Sequence, residues 1–478
     1  MASFDGRIIA VGPKAREAAG RRAEVVKLRG VAWPGLIDSH IHLEGMADRK
    51  LTVDLTGASD LREALARVKE WAKGLPKDGW LIGSGWYNDA WPDRAFPTRQ
   101  RLDQTSAGRP AYLRRKDGHS AWVSSAALRA AGIERGTPDP SGGHIDRDDK
   151  GEPTGILRET AMQLVSQLLP HPREAALDGA MARVLNDLAR LGVTSVHSMD
   201  GARGLGSLQR LRSRGPLPVR VTYNLPLADL PHAERIGVRS GWGDSWLRIW
   251  GVKAFLDGSL GSRTAEMLDG SGTQLLPQPD LVDVVERCAQ AELNVCLHAI
   301  GDGAVRRALD ALAPHHEAWS RWRPRIEHAQ CVNPKDVPRM AKIGVIASMQ
   351  PIHAVADREL ADADWPDVAM HAYAWGALER AGVRLAFGSD APVETADPIA
   401  GIDAATAWRR RAGWHPELAV TRASALRAYT SGAAYAAGME ADLGALRPGK
   451  LCDMAVVDGG RVLATVAGGR VTWRRKPA

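Results

Sequence analysis

Two histidines separated by one residue, His40 and His42, are the first sign of chemistry in this chain. In an extended segment residues i and i+2 point to the same side, so the two imidazoles can converge on one cation. Four more side chains of ligand or acid–base type stand at the ends of apolar stretches: Lys253, His298, His328 and Asp390. Imidazole and carboxylate ligands suit zinc first, with manganese, iron and nickel behind it. Each residue alone has an ordinary reading. An HxH occurs in plain structure, a strand histidine is usually hydrogen-bonded in a core, a lysine reaches for water, and an aspartate before Ala391-Pro392 can cap a turn. Joint placement at successive strand ends is what points to a metal site.

Other groups are candidates for contact with a substrate. His353 follows Gln350-Pro-Ile, His119 lies in a long early segment, and Arg263 sits in the loop after Lys253, where it can bind a carboxylate or pin the loop. Trp86 is a candidate to face an apolar substituent, His197 to line the site, and Asp302 to cap the helix that follows it. Gly204-Leu-Gly206 lacks the Lys-Ser/Thr of a phosphate loop and is set aside.

The elements that must position these residues alternate along the chain. Glu174 to Leu191 has apolar residues at three- and four-residue steps and reads as a helix stopped by Gly192. Strands are expected at Val193–His197, Val219–Tyr223, Leu247–Lys253, Asn294–His298, Arg325–His328, Gly344–Met349 and Arg384–Asp390, with room for helices between, as at Ala304–Leu312 and Asp336–Ile343. An eighth strand is expected at Val31–Asp38, just before His40. Strand–helix alternation implies a parallel sheet, and eight such strands a closed α/β barrel, the (β/α)8 or TIM barrel, with its chemistry at the strand C-termini. The segment from about 50 to 165 is too long for an ordinary βα loop. Rich in Trp, Gly and Pro, it is expected as a large insertion over the barrel mouth. Short strands at Gly6–Gly12, Ala23–Leu28, Met454–Val457 and Val471–Trp473 are expected to pair into a small β-sandwich from both chain ends. The expected domains are therefore 1–32 with 441–478, and 33–440.

Bulk properties are those of a soluble globular protein. The 478 residues are 44% hydrophobic and 25% charged, with no apolar run near the roughly 18 residues of a membrane helix and no signal-peptide pattern at Met1. Four scattered cysteines, Cys288, Cys296, Cys331 and Cys452, argue against a disulfide framework. The net charge of +7 is spread along the chain, and no nucleic-acid motif accompanies it. The expectation is a cytoplasmic protein with a small-molecule substrate, no nucleic-acid or membrane partner, and homodimerisation open.

The pattern His-x-His after the first strand, Lys on the fourth, His on the fifth and sixth and Asp on the eighth resembles the amidohydrolase superfamily. It reads here as Pro34-Gly-Leu-Ile-Asp-Ser-His40-Ile-His42, Val252-Lys253, Leu297-His298, Glu327-His328 and Gly388-Ser-Asp390. Gly444-Ala-Leu-Arg-Pro-Gly-Lys-Leu-Cys-Asp-Met-Ala-Val-Val457 looks like that family's return into its sandwich. Within the superfamily the chain looks most like the N-substituted formamide deformylase-like branch (amidohydrolase family 3), through Asp117-Gly-His-Ser120, Gly151-Glu-Pro-Thr-Gly155, Asp257-Gly-Ser-Leu-Gly-Ser-Arg-Thr-Ala265 and His298-Ala-Ile-Gly-Asp302. One departure is that the family has a further strand ahead of Gly6-Arg-Ile, so a thinner sandwich is expected here.

The resemblance implies two divalent metals, zinc by expectation, and a CO2-derived carbamate on Lys253 that bridges them. His40, His42 and Asp390 would hold one metal and His298 and His328 the other, with a single-metal site as the alternative. It also implies hydrolysis of a non-peptide C–N bond (amide, formamide-like or N-acyl) by metal-activated hydroxide, with Asp390 as proton shuttle. Cyclic-amide opening, ester hydrolysis or deamination on the same site is the alternative. A non-catalytic barrel that only binds is the second, opposed by the retention of all six ligand positions.

Overall fold

The computed structural model describes residues 1–76, 78–116, 120–315 and 322–476. The candidate His119 lies outside them. Two compact units divide the chain: Met1–Met46 with Met181–Ala478, and Ala47–Ala180.

At the start, β1 (Ala2–Phe4) and β2 (Arg7–Ala10) form an antiparallel pair, so a short strand does precede Gly6. Ala23–Leu28 is irregular rather than a strand, and Val25 and Val26 are exposed. The expected strand Val31–Asp38 is divided at Gly35 into β3 (Val31–Pro34) and β4 (Leu36–Ile41). Here a side chain is excluded, since a Cβ at Gly35 would meet Thr194 Oγ1 at 2.1 Å. β3 leaves to pair with a C-terminal strand, whereas every residue of β4 is buried.

The unit Ala47–Ala180 has a sheet of its own. Its strands are β5 (Val53–Asp54), β6 (Leu81–Trp86), β7 (Ala111–Arg115), β8 (Ser120–Val123), β9 (Gly143–Arg147) and β10 (Pro153–Glu159), in the order β5-β6-β7-β8-β10-β9. The helix Leu61–Lys73 begins at Asp60, whose carboxylate accepts from Glu63 N, and buries Ala64, Val68 and Ala72 at successive four-residue steps. They pack in one core with Trp86, Trp91, Leu102, Leu113 and Trp122.

The other unit is the barrel. After β4 come β11 (Val193–Ser198), β12 (Arg220–Pro226), β13 (Leu247–Phe255), β14 (Asn294–Ala299), β15 (Arg325–His328), β16 (Ile346–Met349) and β17 (Arg384–Phe387). They form an eight-stranded sheet in sequence order, each strand parallel to the next. Helices such as Ala202–Ser213, Gln278–Gln290, Asp302–Leu312 and Val337–Ile343 fill the crossovers. This is the TIM-barrel architecture. β4, β11 and β14 are buried residue for residue, as a parallel sheet covered on both faces requires. The seam between β4 and β17 is bridged by the carboxylate of Asp38. Its Oδ1 accepts from His40 N at 3.1 Å and from Ser389 N at 3.0 Å, while Asp390 N donates to His40 O at 2.7 Å.

The chain closes with β18 (Met454–Asp458), β19 (Arg461–Ala467) and β20 (Arg470–Arg474), an antiparallel sheet that β3 completes. Arg220 of β12 and Asp453, both buried, join barrel and terminal sheet through two hydrogen bonds of 2.7 and 3.0 Å. Among the described residues no helix is long and apolar enough to cross a membrane.

Candidate metal centre

The C-terminal ends of β4, β13, β14, β15 and the segment after β17 bring six side chains together. His40 lies inside β4 and His42 one residue beyond it, Lys253 within β13, His298 within β14, and His328 at the end of β15. Asp390 follows β17. Ligand atoms of His40, His42 and Asp390 lie within 4.8 Å of one another. Asp390 Oδ1 is 3.1 Å from His42 Nε2 and 3.5 Å from His40 Nε2, and Lys253 Nζ is 3.5 Å from that same His40 nitrogen. The His298 and His328 rings are 4.5 Å apart, and His328 is 4.7 Å from His40. His328 and Asp390 have φ of +72° and +58°, the left-handed region that L-residues avoid. The chain turns sharply there to aim both side chains.

Each imidazole has one nitrogen turned to a structural partner. His40 Nδ1 donates to Glu327 Oε2 at 2.6 Å, His298 Nε2 to Gly258 O at 2.8 Å, and His328 Nδ1 to Gln350 Oε1 at 2.8 Å. His42 Nδ1 faces Asp200 at 3.6 Å. The second nitrogen of each is left for the centre. That of His298, Nδ1, is buried with no hydrogen-bond partner among the described residues. Metal-ligating histidines have this arrangement, one nitrogen anchored and the other free with its lone pair forward. The residues present therefore fit a divalent cation.

Electrostatics point the same way for three of the four rings. Burial, reinforced by the Lys253 amine, lowers His40 to about 4 and His298 to about 3, and burial with neighbouring imidazoles puts His328 well below its ordinary value. These rings are neutral, as ligation requires. For His42 burial works against charge, but the carboxylates of Asp200 and Asp390 prevail and raise it to about 9. Burial would raise Asp390, yet His42, His40 and His353 hold it below the usual carboxylate range. Burial pushes the Lys253 amine down from its ordinary value, against the pull of Glu327 and Asp390.

The structure also places His353 beside this cluster. It is buried, its Nε2 is 3.6 Å from Asp390 Oδ2, and Gln330 Nε2 donates to its Nδ1 at 3.4 Å. Other candidates stand elsewhere. Arg263 is mostly exposed and pairs with Asp364 at 3.0 Å, so it pins its loop. Trp86 is fully buried in the core of its own unit, where Nε1 donates to Leu113 O. His197 lies in the barrel interior and accepts from Arg325 at 2.8 Å. Asp302 is the first residue of its helix and accepts from Leu268 N, holding a loop instead of capping.

Several participants carry no signal that spacing alone exposes: Asp38, Asp200, Glu327 and Gln350. Asp257 is another. Buried, and raised by that burial to about 6, it accepts from Ile300 N, Gly301 N and Glu266 N. It thereby fixes the turn that offers Gly258 O to His298. Adjacency is the clue that sequence offers, since Asp38, Asp257, Glu327 and Gln350 stand beside candidate residues in the segments Pro34–His42, Asp257–Ala265, Glu327–His328 and Gln350–His353.

Residues 24–473 match the profile of the amidohydrolase family. The chain belongs to that family. Among this amidohydrolase's relatives, the putative amidohydrolase YtcJ of Bacillus subtilis is 30% identical, over 91% of this chain and 85% of its own. The N-substituted formamide deformylase of Arthrobacter pascens is 28% identical, over 95% and 88%. A solved structure of an uncharacterized metal-dependent hydrolase from Pyrococcus furiosus superposes with TM-score 0.77 at 31% identity, covering 95% of this chain and 94% of that one.

Proposed function

We propose that this amidohydrolase cleaves a non-peptide carbon–nitrogen bond in a small amide, formamide-like or N-acyl substrate. Two divalent cations, zinc by preference, would be held by His40, His42, Lys253, His298, His328 and Asp390. The observation that carries the reading is the set of three imidazoles, His40, His298 and His328, each anchored through one nitrogen and gathered with His42 around Lys253 and Asp390. In this reading the catalytic barrel lies within residues 33–440, interrupted by an insertion at about 50–165, and 1–32 with 441–478 form its small sandwich.

Lys253 is carbamylated in the proposal. Burial favours its neutral amine, which adds CO2 and loses a proton to give an anion able to bridge two cations. When bound, the cations would supply a water activated near neutral pH and polarise the scissile carbonyl. The chain's own groups do the rest. Asp390 turns Oδ1 toward the two imidazoles of the HxH pair and Oδ2 toward His353. The second oxygen takes the proton of the attacking water as the C–O bond forms, and delivers it to the leaving nitrogen as the C–N bond breaks. His353, oriented by Gln330, donates a hydrogen bond to the substrate.

Elemental analysis of the purified protein is expected to find one to two divalent ions per chain. His40→Ala and His298→Ala should lose metal and activity together, in a screen of N-substituted formamides, N-acyl amino acids and cyclic amides. Density at Lys253 in a crystal of the loaded enzyme would test the carbamate. Active enzyme free of metal would overturn the proposal.

A further inference from the structure

Below the metal-ligand cluster, in the barrel interior, Arg325 and Glu327 are fully buried. Two residues apart on β15, they point to the same side. Arg325 Nη2 donates to Glu327 Oε2 at 3.1 Å, and Nε stands 2.8 Å from Oε1. The guanidinium also donates to Ser39 O of β4, His197 Nδ1 of β11 and Ser348 Oγ of β16. One side chain thus ties four barrel strands together at the level just beneath His40.

Barrel interiors are usually filled by branched apolar side chains. Replacing a buried ion pair by apolar groups of similar volume is often neutral or stabilising. Stability therefore does not account for a guanidinium and a carboxylate at this depth. Their link to the ligand cluster is the 2.6 Å hydrogen bond from His40 Nδ1 to Glu327 Oε2. It is the shortest of the four imidazole anchors and the one made to a fully buried carboxylate. His298 and His328 are held by neutral oxygens, and His42 faces Asp200 at 3.6 Å. His40 is also the most central ring, with Nε2 3.5 Å from both Lys253 Nζ and Asp390 Oδ1. A small rotation of it would disturb contacts to both.

We propose that Glu327, clamped by Arg325, is a positioning residue that holds His40 in the Nδ1–H tautomer and thereby sets the affinity of the site for its metal. Arg325 supplies the counter-charge and fixes the carboxylate against four strands. The inference rests on the metal-centre reading above and assigns to this pair a part in it beyond ligation.

The test uses the zinc-loaded full chain in competition with a chromophoric chelator, together with the thermal midpoint of the zinc-free protein. Glu327→Gln keeps an acceptor of the same shape without the charge, and should weaken zinc binding about 10- to 100-fold. The double variant Arg325→Met/Glu327→Gln removes both charges. Its zinc-free midpoint should fall, because Ser39 O, His197 Nδ1 and Ser348 Oγ lose their donor, while its zinc affinity stays as weak as in Glu327→Gln. Wild-type zinc affinity in Glu327→Gln would overturn the proposal. So would a further loss of affinity in the double variant in step with its midpoint, which would mark the pair as structural only. Failure of the wild type to bind zinc at all would instead overturn the metal-centre reading on which the inference stands.

Discussion

Asp390 has two oxygens in different surroundings. Oδ1 faces His42 and His40, and Oδ2 lies 3.6 Å from His353 Nε2. A ligand-only carboxylate would use the first oxygen and leave the second without chemistry. A shuttle needs both. Asp390→Asn keeps an oxygen for ligation but cannot carry the proton. The metal-replete variant is expected to hold much of its metal and to lose turnover by a factor on the order of 10² or more. The loss should be greatest with strongly basic amine leaving groups and should shrink with nitrophenol-like ones, which depart without a proton. Steady-state rates on such a series, with elemental analysis of the same samples, check this. Near wild-type turnover on an unactivated amide would leave Asp390 as a ligand alone.

The weakest join among the elements is the seam where the first and last barrel strands meet. No ladder is formed between β4 and β17, and Asp38 and the Asp390–His40 backbone bond bridge the gap. Gly388 lies against this bridge. A Cβ there would be 2.5 Å from His40 N and 2.7 Å from Asp38 Oδ1, and the backbone atom has no room to yield. Gly388→Ala is expected to destabilise the protein by about 1–3 kcal/mol, through overpacking. It should also weaken zinc binding, because His40 and Asp390 flank the strained point. Denaturant unfolding of the zinc-free protein, with a chelator competition alongside, measures both; an unchanged midpoint would show that the seam adjusts freely.

At the scale of the whole molecule, the terminal sheet is tied to the barrel by a buried charge pair. Arg220 donates twice to Asp453, stacks 4.0 Å from the centre of the Trp246 ring, and shares Asp453 with Gly468 N. Removing one partner leaves the other charge buried and unmatched. Arg220→Met is therefore expected to cost about 3–5 kcal/mol of stability. Calorimetry should show a clear fall in thermal midpoint, while metal content and turnover at 25 °C stay near wild type because Arg220 is the first residue of β12, at the end of the parallel strands opposite the candidate ligands. Loss of metal at a temperature where the variant is folded would contradict that separation.

The barrel, and the strand ends at which the candidate ligands stand, are legible because both follow local rules. Strand–helix periodicity marks the crossovers, and the alternation of side chains along a strand decides which residues near its C-terminal end face inward. The structure brings His40, Lys253, His298, His328 and Asp390 together near those ends, with His328 and Asp390 aimed by left-handed backbone that periodicity does not reveal. The first strand was misread as one piece because Val31–Ile41 is continuously compatible with extended chain; only the close approach of Thr194 to Gly35 divides it. Arg263 and Trp86 were read by type, yet an arginine's partner and a tryptophan's surroundings are set by contacts distant in sequence, here Asp364 and the β6–β8 core. Glu327, Arg325, Asp38, Asp200, Asp257 and Gln350 have no periodicity to betray them. Their polar atoms acquire partners only when the strands close into a barrel and a low-dielectric interior makes every unpaired group costly. The amino-acid sequence alone determined the order of strands and helices and which strands end near histidine, lysine or aspartate, since that depends on local pattern. Tertiary structure alone decided how each is held, since hydrogen-bond direction and charge pairing depend on residues that meet only in space.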